Sequence, residues 1–190
     1  MISHGDDSRH ELFLREGLDA VDVVRAHTAA LRVLRSSIES AHVDAYSDVA
    51  WPQDVMPSYE QALCLARNAV VSGTRSARAD PGMGIDIDIR DDAQFEVLLA
   101  LAPYTIHAEG WLGNQSIFSM DDTGTALWVA VTAAEEVELR SQLDTLGIAR
   151  MAFTAECPGG GRTARARQGG RIRLTRARRR SPVERRPAQS

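Results

Sequence analysis

Lysine is missing altogether from this chain of 190 residues: all 22 basic positions are arginine. Arginine and alanine share GC-rich codons, so the bias points to a high-GC bacterial gene. Cysteine is nearly absent as well. Cys64 and Cys157 are the only two, too few for a disulfide framework and not spaced as a CxxC pair. Long hydrophobic runs are lacking too: the longest uncharged apolar stretch, Val97 to Pro103, falls far short of the ~20 residues a membrane-spanning helix needs. The first residues carry Asp6, Asp7 and Glu11 where a secretory signal would place an apolar segment. No membrane and a reducing, cytoplasmic setting are expected.

Familiar catalytic signatures are also missing. There is no GxSxG elbow, no dinucleotide GxGxxG, no HExxH and no kinase motif set. Gly159-Gly160-Gly161-Arg162 lacks the GK[ST] ending of a phosphate loop. No catalytic residue and no cofactor is assigned.

What is present divides sharply at Cys157. Residues 1–157 hold 25 Asp and Glu against 11 Arg, a balance of −14, whereas residues 158–190 hold 11 Arg against the single Glu184, a balance of +10. The formal −4 of the whole chain averages two different polymers. The final segment has no aromatic residue and few aliphatic ones. It lacks the apolar surface to offset an ordering cost of ~1–2 kcal/mol per residue, and is expected to be disordered. An alternative origin for it is a GC-rich gene read in a shifted frame.

Ser8-Arg9-His10-Glu11 has capping-box spacing and predicts a helix start. From Gly17 an apolar stripe runs through Ala20, Val24, His27, Leu31, Leu34, Ile38, Ala41 and Ala45 at helical intervals. Ser58-Tyr59-Glu60-Gln61 is a second capping box, followed by Leu63, Ala66 and Val70 on one face and Gly73 as a stop. Residues 1–78 are therefore expected to hold an antiparallel helical pair.

Near Gly84 the period changes from 3.6 to 2. Ile85, Ile87 and Ile89 alternate with Asp86, Asp88 and Arg90, the pattern of a half-buried strand. Asp91 and Asp92 then suit a helix N-terminus over 93–101. Strands follow over 104–111, 115–120 and 125–131, separated by Gly113-Asn114 and by Asp121-Asp122-Thr123-Gly124. Thr132-Ala133-Ala134-Glu135 caps a helix over 133–146, whose apolar face is read as Val137, Leu139, Leu143 and Leu146, and a last strand follows. The expectation is an α+β fold: a helical pair, then a β-α-β-β-β-α-β unit over 84–155 forming a mixed or antiparallel sheet with helices on one face.

If the isoleucines of the first strand face the helices, alternation sends Asp86, Asp88, His107, Glu109 and Trp128 to the other side. Three functional readings follow. An acidic body with an exposed Trp among charges suits a non-catalytic module, like an immunity or inhibitor protein, that binds a protein partner. The tail arginines, Arg171, Arg173, Arg176, Arg178, Arg179 and Arg180 foremost, suit sequence-tolerant binding to nucleic-acid phosphates. The carboxylates and His107 suit a metal-dependent enzyme. Alternation alone accounts for most of that face, so no metal is assigned. The other histidines lack zinc spacing, and Cys64 reads as a small buried apolar residue.

Overall fold

A computed structural model of the protein describes residues 8–155. Cys157 and the arginine-rich segment, with Arg171 to Arg180, lie outside the described residues. Among the described residues, no helix is long and apolar enough to cross a membrane.

In chain order the elements are β1 (His10–Leu14), α1 (Ala20–Leu34), β2 (Ser40–Val43), α2 (Met56–Val71), β3 (Ile85–Ile87) and α3 (Asp92–Leu101). They continue with β4 (His107–Leu112), β5 (Gln115–Asp121), β6 (Trp128–Val131), α4 (Ala133–Thr145) and β7 (Phe153–Thr154). The strands form one seven-stranded antiparallel sheet in the order β3-β2-β4-β5-β6-β1-β7. The α+β class and the whole order after residue 84 are as expected from the sequence.

The N-terminal part differs. Residues around Ser8–Glu11 begin strand β1, not a helix, and β1 sits between β6 and β7. Leu12 and Leu14, two apart, are both buried. Their burial and two ladders of backbone bonds outweigh a capping signal worth ~1 kcal/mol. The long apolar stripe likewise stops being helical at Leu34; Ala41 lies on β2, which enters the sheet between β3 and β4. The main helical neighbour of α1 is α4, and that of α2 is α3.

Local chemistry explains most boundaries. Asp19 caps α1 by accepting from the Asp22 amide, and Asp91 caps α3 by accepting from Ala93 and Gln94. Thr132 and Glu135 make the reciprocal capping box of α4. Glu135 also accepts from the Ser37 hydroxyl and pairs with Arg9, tying β1, the end of α1 and the start of α4 together. Burial pushes its carboxyl up, but these hydrogen bonds and the Arg9 charge outweigh that and hold it below the usual carboxylate range. Helix α2 starts two residues before the expected box, at Met56, with Pro57 in its first turn, where a missing N–H costs nothing.

The buried face of the sheet carries Leu12 and Leu14, Ala41 and Val43, Ile85 and Ile87, Ala108, Phe118 and Met120, and Val129 and Val131. On α4 only Leu139 and Leu143 of the expected apolar face are buried, while Val137 is 71% exposed and Leu146 39%. Val137, two residues before Leu139, falls on the far side of a 3.6-residue turn. The same geometry corrects Cys64, which is exposed: Ala62 and Ala66 form the buried line of α2, and Cys64 lies between them on the opposite side.

Candidate functional site

The opposite face of the sheet is only half-covered, and strand pairing decides what meets there. In register across five strands stand Asp86 on β3, His42 on β2, Glu109 on β4, Ser119 on β5 and Trp128 on β6, with Phe13 of β1 opposite Trp128. Glu109 faces Ser119 and Ser119 faces Trp128, so the row is continuous. One residue pair further along, His107 stands opposite Asp121, while its carbonyl accepts from the backbone amide of Asp44. His42 thus lies between the acidic residues of β3 and β4, and His107 between Asp121 of β5 and Asp44, the residue just past the end of β2.

Side-chain contacts bind the group together. The His107 Nδ1 lies 2.8 Å from Asp121 Oδ1, and its Nε2 lies 3.8 Å from Glu109 Oε2. Since a carboxylate accepts, the Nδ1 of His107 carries the proton of that bond, and Nε2 is the atom turned toward Glu109. Ser119 donates to the other oxygen of Asp121 at 3.3 Å. The ring of His42 packs 5.3 Å from that of His107 and 4.9 Å from that of Trp111, centroid to centroid. One ligand atom each from His42, His107 and Glu109 can be chosen so that all lie within 4.8 Å of one another.

The two imidazoles titrate differently. The hydrogen bond to Asp121 holds His107 above the ordinary imidazole range despite partial burial, with the charges of Asp121, Asp44 and Glu109 adding to it. Burial pushes His42 down, a charged His107 adds to that, and Asp44, Glu109 and Asp86 oppose it. An acidic, half-dry patch of this composition favours a cation, whether a partner's side chain or a metal ion.

Of the residues expected on this face, His107, Glu109, Asp86 and Trp128 share it, though Asp86 and Glu109 are separated by β2. Asp88 lies past the end of β3, in the turn into α3, where its amide bonds Gln94 and its carboxylate accepts from Arg90. Trp128 is half-buried, packed against the edge of the core. Sequence reasoning passed over His42, Asp44, Trp111 and Asp121. The alternation Ser40-Ala41-His42-Val43-Asp44-Ala45 was the available signal, masked by the helical stripe running through Ala41 and Ala45.

The molecule is thus an α+β protein with one helix-packed sheet face and one half-open, acidic and aromatic face. No protein family, curated protein or solved structure matches the chain.

Proposed function

We propose that this chain is a non-catalytic protein-interaction module whose half-open sheet face receives a basic partner. One observation carries the reading: Asp86, Glu109 and Asp121 gather around two histidines beside Trp111 and Trp128, and the charge of the buried Asp44 acts on both rings. A cluster of charges departs from the usual interface core, which is depleted in charged residues, but aromatic anchors beside a single-sign cluster give both a packing contact and electrostatic selection. The body's balance of −14 supports steering of a positively charged partner. Many body arginines are already engaged: Arg9, Arg25, Arg32, Arg35, Arg140 and Arg150 pair with internal carboxylates. The hydroxyl in the cluster, Ser119, is buried and donates to Asp121, so it does not stand open to a substrate, and catalysis is not assigned to it.

The test is affinity capture from a lysate of the native host, with the immobilised full chain beside a Trp128→Ala, Asp86→Arg variant. A protein retained by the first and reduced at least about tenfold on the second is expected, since aromatic and charge anchors each contribute on the order of 1–2 kcal/mol. Equal retention of every captured protein by the two overturns the reading. The 11 arginines of residues 158–190 favour a second reading. Nucleic acid captured instead, and lost when Arg171, Arg173, Arg176, Arg178, Arg179 and Arg180 are replaced by alanine, would move the function to that segment.

A further inference from the structure

We infer that His42, His107 and Glu109 form a binding site for a divalent transition-metal ion of borderline softness, with Zn2+ the reference case. The site stands on strand geometry. His42 and Glu109 are direct cross-strand partners on β2 and β4, where Cβ atoms lie roughly 4.5–5.5 Å apart. His107 is two residues before Glu109 on β4, and therefore on the same face. Their ligand atoms already fall within 4.8 Å of one another, and the His107–Glu109 pair is at 3.8 Å. Tetrahedral zinc with bonds of ~2.1 Å needs ligands about 3.4 Å apart, so side-chain rotation alone closes the set.

Three further features match what such an ion requires. Two imidazoles and one carboxylate are a donor set that zinc and its neighbours accept, and that magnesium or calcium, which take oxygen ligands, do not favour. His107 is already oriented by Asp121, which accepts from its Nδ1 and leaves Nε2 as the metal-facing atom. That carboxylate–histidine–metal order is the usual way a protein fixes the tautomer of a ligating ring. Asp121 is in turn held by Ser119. Finally, Asp44 and Asp86 place two more negative charges beside the histidines without occupying the ligand set.

Three protein ligands leave a fourth position, and the side chains of all three are partly exposed. Water, or a donor atom brought by another molecule, would complete the shell there. The site shares the face proposed for the partner but does not depend on that reading, since it is tested with the metal alone.

The experiment uses the full chain, untagged and freed of metal by a chelator, titrated with ZnCl2 by calorimetry and with Co2+ by visible absorption. A saturable site with the intense d–d bands of four-coordinate Co2+ is expected. His42→Ala, His107→Ala and Glu109→Gln should each abolish the bands, and Asp121→Asn should weaken binding by about 10–100-fold. Cys64→Ser, Cys157→Ser and His10→Ala should leave affinity unchanged. Circular dichroism confirms that each variant keeps its fold, and Glu109→Gln, nearly isosteric and half-exposed, serves where a histidine variant does not. Absence of saturable binding overturns the assignment. So does binding that survives Glu109→Gln and both histidine substitutions. Neither result bears on partner capture, and loss of partner capture leaves the metal titration standing.

Discussion

His27 shows how much a single side chain owes to its surroundings. It sits in the apolar stripe of α1, fully buried, with Nε2 2.7 Å from the carbonyl of Gly124. Nε2 must donate there, burial keeps the ring neutral, and among the described residues Nδ1 has no partner. Burial lowers its pKa to about 4, only partly countered by the bond to Gly124. The unfolded chain, with an ordinary value near 6.5, takes up the proton first as pH falls. The stabilisation is therefore complete above pH ~6.5 and is lost progressively toward pH ~4, by about 3 kcal/mol in all. Denaturant titrations at pH 7, 6, 5 and 4 should show this slope, and His27→Gln should remove most of it while lowering stability at pH 7. An unchanged slope in the variant would assign acid sensitivity elsewhere. That His27 faces the core was legible from its place in the stripe. Its carbonyl partner was not, because Gly124 is remote in sequence and reaches it through a turn with a φ of +80°.

Strand β4 carries both the site and a packing constraint in consecutive positions. Glu109 points to the open face, and Gly110, its neighbour, lies under the ring of Phe118 on β5. A Cβ at Gly110 would stand 2.2 Å from Phe118 Cε1, well inside contact distance. Phe118 is fully buried and cannot swing away without disturbing the core. Gly110→Ala should cost roughly 1–3 kcal/mol by overpacking. Combining it with Phe118→Leu should cost less than the sum of the two single changes, because the smaller residue vacates the space. Additive losses in chemical denaturation would show that the two positions do not compete. The β4–β5 register shifts between Gly110 and Trp111, where Ile117 of β5 is the extra residue, whereas the β2–β4 ladder stays regular and sets Trp111, two residues after Glu109, on the face of His42. Strands 4 to 6 and helices α3 and α4 were readable from alternation, Gly turns and caps. Strand β2 was not, since its four residues carry a helical stripe as well as an alternating one.

In the assembled molecule the strands of the first third are interleaved with those of the rest. Strand β2 separates β3 from β4, and β1 separates β6 from β7. A fragment spanning 84–155 would keep five strands but lose both bridging ones, leaving β3 and β7 without a ladder partner. Such a fragment should show no cooperative thermal unfolding by circular dichroism, while the full chain should. A sharp transition in the fragment would mean that residues 84–155 fold alone and that β1 and β2 merely attach. The class of fold, the order of elements after residue 84 and the acid–arginine divide were all determined by the sequence on its own. Each rests on short-range signals: two-residue alternation, capping side chains and local charge. Strand order was decided only in three dimensions, and with it the meeting of His42, His107 and Glu109. A β-ladder joins residues of any separation, and its selection depends on which buried faces and backbone groups find partners together.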